Sequence, residues 1–382
     1  MGPQASKTKK TIALCMIVKN ESKVLGRALN SVKEFVDYFV ICDTGSTDGT
    51  PEIATEYFKK YNLKGEVHSR PWVNFSHNRN EAFSYAEGKA DYFMTLDADE
   101  VVAPLINGVP DLQKKVVGLP DITADRVEVM THYGSIVYSR GMLFKQGKDF
   151  KWTWPVHEVC GSLKQKSVQS IGDVCVYPTA EGARAKDDKR FLRDAYVFEE
   201  WLLEKPTDAR AWFYLAQSYR DGGEVKKALE PLRKCLEFTM WDEERFMATL
   251  RLAQYRQTAG DPFESVVGQY LKAYETRPTR AEPLFELMTQ YMSKKMYHAA
   301  TLVGETAVKI PYPTDDILFI SKHLYSWKIA DELSVCYHWV GRYKESYELA
   351  KTLLKNPDIG KEDLKRIRKN IKSSKEKLDG NG

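Results

Sequence analysis

Two folds in tandem are predicted: an α/β domain on a largely parallel, doubly wound sheet, then an all-α domain of repeated helix pairs. Three observations predict this. Short apolar runs alternate with amphipathic helical stretches as far as residue 100, the signature of β-α-β units with right-handed crossovers. From Arg126 the strands follow one another without helices, the texture of a more open, partly antiparallel region. After Lys186 only helical periodicity remains. The expected boundaries are a disordered start over residues 1–10, the α/β domain over 11–180 and the helical repeats over 186–382.

Thr11 to Val18 reads as the first buried strand. Ser22 is placed to cap the following helix, whose Val24, Leu25, Ala28, Leu29 and Val32 recur at helical spacing. Tyr38 to Cys42 is a second strand, broken by Asp43-Thr-Gly-Ser-Thr-Asp-Gly-Thr50, a loop with two glycines and a cap at Thr47 or Asp48. Ile53, Ala54, Tyr57, Phe58 and Tyr61 give the next helix its apolar face. A short strand at Glu66 to Ser69 and a helix from Phe75 to Glu87, stopped by Gly88, lead to the aromatic-rich strand Tyr92 to Leu96. Val127 to His132, Val137 to Phe144 and Ser170 to Tyr177 are the later strands, with Lys151-Trp-Thr-Trp-Pro-Val-His-Glu-Val-Cys160 between them.

In the second half, Trp212, Leu215, Ala216, Tyr219, Gly223, Ala228 and Leu232 match the tetratricopeptide pattern, two antiparallel helices in ~34 residues. Looser copies follow at Leu252, Ala253, Gly260, Ala273 and Pro278, then at Leu284, Leu287, Tyr291, Ala300, Ala307 and Pro311. A fourth holds Leu333, Tyr337, Gly341 and Ala350. Each pair buries its apolar face only against its neighbours, so about three or more copies are needed for a stable stack. Lys361 to Leu378 is a charged, basic terminal helix that reads as a solvated cap. Nothing in this half has catalytic spacing.

Bulk properties narrow the function. A net charge of +4 does not announce a nucleic-acid binder. The six cysteines are scattered, lack any Cys-x-x-Cys pair and sit mostly in apolar runs, as reduced buried thiols do. The longest apolar run, Ile12 to Val18, is far too short to span a bilayer, and no charged-then-apolar leader opens the chain, so a soluble, cytoplasmic protein is expected. Met1 to Ser6 formally fits the myristoylation pattern, but Pro3 beside the acceptor glycine argues for a plain disordered start.

The chemistry gathers at strand ends. Asn20, Asp43 and Asp97 to Asp99 all follow predicted strands, and open α/β sheets bind ligands at that edge. Strand alternation would put Asp97 and Asp99 on one face, with Ala98 on the other. Two carboxylates so close repel unless a cation or proton intervenes. Hard oxygen ligands of this kind suit Mg²⁺ or Mn²⁺ bound together with substrate phosphates. A solvated acidic turn explains an isolated Asp-Xaa-Asp as well, so neighbouring motifs decide. Trp152 and Trp154 mark an aromatic-rich stretch that reads as an acceptor or metal site, with core packing as the alternative. His157-Glu158 is no zinc-protease helix, because Gly161 stands where the second histidine belongs.

These motifs together resemble the family-2 glycosyltransferases: Met16-Ile-Val-Lys-Asn-Glu21, Asp43 to Thr50, Asn78-Arg-Asn80 with Ala82, Leu96-Asp-Ala-Asp-Glu100 and Val156-His-Glu158, in the family's order over residues 11 to 160. The resemblance implies a GT-A fold that binds a nucleotide sugar, usually UDP-linked (UDP-glucose, for example), through Mn²⁺ or Mg²⁺. It places Asn20, Glu21, Asp43, Arg79 and Asp97 on the donor. Asp43 meets uracil or ribose, Arg79 the diphosphate and Asp97 the ribose. Asp99 and His157 become metal ligands and Glu158 the acceptor's base. Members with this ending and a helical-repeat tail look like cytosolic transferases acting on proteins, peptides or glycan cores. The repeats would then present a concave surface to a polypeptide acceptor or form a homodimer interface.

The chemistry explains why such residues are wanted. A divalent ion across both phosphates stabilises the charge on the departing diphosphate by several kcal/mol. It must keep open positions for phosphate oxygens, and including His157 favours Mn²⁺ over Mg²⁺. One carboxylate base with in-line attack predicts inversion at the anomeric carbon. Consecutive strand residues face opposite ways, so either the chain leaves the strand at Pro155 or only one of His157 and Glu158 acts. Asp149 is the second candidate base. The rival reading is a tetratricopeptide scaffold whose front domain binds nucleotide sugar without turnover, although decay would tend to lose carboxylates. A nucleotidyltransferase would want a glycine-rich phosphate loop after the first strand, and Lys19-Asn20-Glu21-Ser22 has none.

Overall fold

The computed structural model describes residues 9–133 and 136–380. The Met1 to Ser6 pattern and the expected disordered start, apart from Lys9 and Lys10, lie outside the described residues. The chain divides into two compact units, Met1–Phe198 and Glu199–Gly382.

In the first unit β1 (Ile12–Val18), β2 (Tyr38–Asp43), β3 (Gly65–Ser69) and β4 (Tyr92–Thr95) run parallel in the order β3-β2-β1-β4. Between them come α1 (Leu25–Val32), α2 (Thr50–Tyr61) and α3 (Phe75–Ala86). β1, β2 and β4 are largely apolar because both faces are covered, whereas the edge strand β3 is polar and partly exposed. Ile12, Leu14, Met16 and Val18 join α1 and α2 in one core, while Ala13 and Cys15 meet Ala82, Phe83 and Ala86 of α3 in another. Each such large apolar side chain contributes roughly 1.5–3 kcal/mol when fully buried.

Next come β5 (Glu100–Ile106), β6 (Val109–Pro110), β7 (Arg126–Tyr133), β8 (Ile136–Lys145), the hairpin strands β9 (Lys151–Thr153) and β10 (Val159–Gly161), and β11 (Val168–Pro178). The sheet continues β4-β8-β7-β11-β5-β6, antiparallel except where β11 meets β7. The antiparallel texture expected beyond Arg126 is therefore present, in the same sheet as the parallel strands.

Capping departs from expectation at α1 and at α2. Ser22 does not cap α1, which starts at Leu25 with Val24 at the cap position. The Ser22 N–H instead donates to Asp48 Oδ2 at 3.0 Å, a tertiary partner displacing a local one. Asp48 also accepts the Thr50 N–H at 3.1 Å, but the cap position of α2 is left-handed Gly49 rather than the expected Thr47 or Asp48.

In the second unit α4 (Arg190–Glu204) crosses the division, and antiparallel pairs follow: α5 (Ala209–Asp221) with α6 (Leu229–Phe238), α7 (Asp242–Thr258) with α8 (Phe263–Thr276), α9 (Glu282–Ser293) with α10 (Tyr297–Ala307), and α11 (Ile329–Trp339) with α12 (Tyr343–Leu353). Gly223, Gly260 and Gly341 make three of the intra-pair turns in the left-handed conformation, and Lys295 holds that conformation in the fourth, at φ 58°. The terminal α13 (Lys361–Asp379) is charged outside but is anchored by buried Ile367 and by Arg366 on Asp331 at 3.1 Å. Among the described residues no helix is long and apolar enough to cross a membrane.

Candidate active site

β2, β1 and β4 run parallel side by side, so their carboxyl ends open on one rim. After β1 the chain turns through Asn20 at φ 58°, a conformation its short amide tolerates because it bonds locally. Asn20 Oδ1 accepts the Thr47 N–H at 2.8 Å, and the Asn20 N–H donates to Ser46 Oγ at 2.8 Å. The Glu21 N–H donates to Thr50 Oγ1 at 2.9 Å. These bonds stitch the loop after β1 to the loop after β2. Asp43, only 3% exposed, accepts N–H bonds from Gly45 at 3.2 Å and Ser46 at 3.1 Å, so its carboxylate shapes its own loop. It also lines an open depression of about 450 Å³ with Pro51, Glu52, Thr55, Val67 and Ser69.

The acidic stretch is not strand. β4 ends at Thr95, and Asp97 to Glu100 forms a turn in which the Glu100 N–H donates to Asp97 O at 3.0 Å and the Asp97 N–H to Glu100 Oε2 at 3.0 Å. Alternation therefore does not aim Asp97 and Asp99; separate partners do. Arg140 of β8 clasps Glu100 with both terminal nitrogens, one at 2.8 Å. Asp97 Oδ1 accepts Arg79 Nη2 at 2.7 Å, and Arg79 Nε donates to Glu158 Oε1 at 2.7 Å.

Arg79 is buried on α3, with its guanidinium 5.1 Å from the centroid of the Trp152 ring. The next residue fixes that platform: Asn80 pairs with the Trp152 main chain, donating to its O and accepting its N–H, each at 2.9 Å. Trp152 also packs edge-on against Phe83 and Phe144, so much of its ring belongs to the core. The chain leaves β9 at Trp154, φ 67°, passes His157 at φ 53°, and re-enters at β10. Pro155 O accepts the Phe75 N–H at 3.0 Å and docks this loop on the start of α3. His157 and Glu158 are thus freed from strand alternation. Glu158 turns to Arg79, while the exposed His157 lies parallel to the Phe198 ring at 6.5 Å. Asp149 sits in the turn before β9, ion-paired with Lys164.

One part of the rim has no counterpart among the expected motifs. Residues 179–184, which fall across the expected domain boundary, reach the carboxylates: the Gly182 N–H donates to Asp99 Oδ2 at 3.3 Å and the Ala183 N–H to Glu21 Oε1 at 3.2 Å. A glycine among small residues just past a strand end is the signal that could have found it. Glu100 closes the acidic motif but carries no role of its own in the sequence, and its partner Arg140 stands in no motif.

Electrostatics separates the rim's acids. Burial pushes Glu21 up to about 7; the Ala183 N–H pulls the other way, and Asp99, Asp48 and Asp97 add repulsion. Burial likewise raises Asp99, helped by Asp97. Burial would raise Asp97 too, but Arg79, Arg140 and Arg184 outweigh it and hold its carboxyl low. Among the described residues no three His, Cys, Asp or Glu side chains converge into a metal cage. Diphosphate chemistry asks for less. Asp99, half-buried and crowded by a second carboxylate, fits an ion whose other ligands are phosphate oxygens.

Comparison with known proteins bears on the same stretch. Residues 13–171 match the profile of glycosyl transferase family 2. The chain is 29% identical over 238 residues to a TPR repeat-containing protein of Synechococcus elongatus, covering 59% of this chain and 56% of the relative. It is 32% identical over 231 residues to the SPbeta prophage-derived glycosyltransferase SunS of Bacillus subtilis, covering 59% and 53%. The chain thus spans about half the length of the curated relatives it matches. The crystal structure of the C-terminal part of a TPR repeat-containing protein from Cytophaga hutchinsonii aligns with a TM-score of 0.41 at 13% identity, over 51% of this chain and 69% of that one.

Proposed function

We propose, from the premise that residues 13–171 belong to glycosyl transferase family 2, that this protein moves a glycosyl group from a nucleotide sugar to an acceptor nucleophile. One observation carries the reading. A single guanidinium, Arg79, touches Asp97 on the donor side and Glu158 on the acceptor side, each at 2.7 Å, so the groups for leaving and attack share one anchor.

The finer assignments extend this. The depression at Asp43 takes the uracil and ribose of a UDP-sugar, UDP-glucose being one example, with Asn20 and Glu21 on the neighbouring loop after β1 and Asp97 near the ribose. Asp99, with His157 as the second ligand, holds Mn²⁺ or Mg²⁺, which when bound stabilises the charge on the departing diphosphate. Arg79 faces that diphosphate. Glu158 takes the proton from the acceptor as its nucleophilic atom bonds to the anomeric carbon and the bond from that carbon to the phosphate oxygen breaks. One base and one in-line displacement invert the anomeric centre. The acceptor is a protein, peptide or glycan. The helical repeats either dock it, with Trp152 and Trp154 near the sugar, or join two copies of the chain.

The test is incubation with UDP-sugars and Mn²⁺, following UDP release. Turnover by the wild type, none by Asp99→Ala and a deep loss in Glu158→Gln are expected. Unchanged turnover in Glu158→Gln removes the base, and full activity in Asp99→Ala removes the metal role.

A further inference from the structure

We infer that residues 179–184, beyond the stretch that matches the family, form a strap that aims Asp99, and that Gly182 is the positioning residue in it; this rests on Asp99 being the cation's carboxylate. β11 pairs with β5 up to Pro178 opposite Glu100. One residue on, Thr179 gives both its N–H and its hydroxyl to the Asp99 carbonyl, at 2.9 and 2.7 Å. Ala180, at φ 54°, turns the chain back, and Gly182 then donates to the Asp99 carboxylate. The strap therefore holds Asp99 by main chain and side chain together. Arg27 of α1 fastens it from outside, donating to Thr179 Oγ1 at 2.7 Å and pairing with Glu181 at 2.8 Å.

Glycine at 182 leaves the room in which the Asp99 carboxylate sits. A Cβ there would lie 2.8 Å from Asp99 Oδ2 and 3.0 Å from its Cγ. The carboxylate would have to rotate off its hydrogen bond. Groups that orient a metal ligand typically carry ~10–100-fold in metal affinity.

Calorimetric titration of the whole chain with UDP, with and without Mn²⁺, tests this. Gly182→Ala is expected to weaken Mn²⁺-dependent UDP binding by ~10–100-fold while leaving metal-free UDP binding unchanged. Arg27→Ala, which keeps the glycine, is expected to weaken it less. Gly172→Ala, whose added Cβ meets nothing within 4 Å, is expected to match the wild type. The melting temperature lost in Gly182→Ala should disappear when Asp99→Ala makes room. A Gly182→Ala protein that binds UDP with Mn²⁺ like the wild type overturns the inference and leaves the reading of the rim standing. A wild type that gains nothing from Mn²⁺ overturns that reading itself.

Discussion

Arg79 and Arg280 each bridge a pair of carboxylates, and the contrast between them separates a strut from a site. Arg280, in the helical unit, is fully buried and bonds Glu282 at 2.7 Å, Asp316 at 3.2 Å and the carbonyls of Leu318 and Phe319. Its acids have further protein donors: Tyr325 gives its hydroxyl to Glu282 at 2.6 Å, and Arg277 Nε reaches Asp316 at 2.7 Å. The network pins the long connection between α10 and α11 to the start of α9. Arg79 makes equally short bonds, but its partner Asp97 keeps 43% of its side chain exposed. A closed network returns its polar groups to the protein, whereas the rim leaves a carboxylate facing out for something else to use.

That contrast can be broken in four ways. The largest effect expected is in Glu158→Gln: turnover falls ~10²–10⁴-fold, because a positioned base is lost, while the melting temperature stays near that of the wild type. Arg280→Ala should behave oppositely. It strands two buried acids and costs about 3–5 kcal/mol in denaturant unfolding, with UDP release per folded molecule unchanged. If Arg280→Ala instead lost turnover at full stability, the distinction would collapse.

Glu21 offers a smaller, pH-resolved effect. Its carboxyl lies at about 7 in the folded chain against an ordinary 4.5, so between those values the folded state holds the extra proton. Stability from this group is fully present below about 4.5 and is lost as pH rises through about 7. Thermal melts of Glu21→Gln against the wild type should therefore diverge in favour of the variant from pH 5 to pH 7.5; a constant difference contradicts the crowding assigned to the rim. The smallest effect is in the repeats. Lys295→Gly relieves a left-handed lysine and is expected to add about 0.5–1 kcal/mol, read from the denaturation midpoint.

The elements were legible where a short-range period governs them. β2 was expected from Tyr38 to Cys42 and runs Tyr38–Asp43, and α3 was expected from Phe75 to Glu87 and runs Phe75–Ala86. The turn glycines of three helix pairs were legible too, because left-handed turns select glycine. The failures share a cause. Ser22 looked like a cap, yet Asp48, 26 residues away, takes its N–H. Asp97 and Asp99 looked like strand residues, yet Glu100 folds them into a turn. Lys295 carried no glycine to mark its turn. The strap bonds Glu21 across 162 residues and the Arg27 link spans 152, separations that no periodicity reports.

By itself the sequence determined the two-part architecture, the nature of each part and the acids at the strand ends. Apolar period and turn chemistry act between near neighbours, and sheet topology then delivers strand ends to a common edge. Only the tertiary structure decided which acids are partnered and by what. Arg79 between Asp97 and Glu158, Arg140 on Glu100, and Gly182 against Asp99 depend on where distant backbone is brought within 3 Å or so. Hydrogen-bond strength falls away over tenths of an ångström, and spacing along a chain does not encode distances that fine.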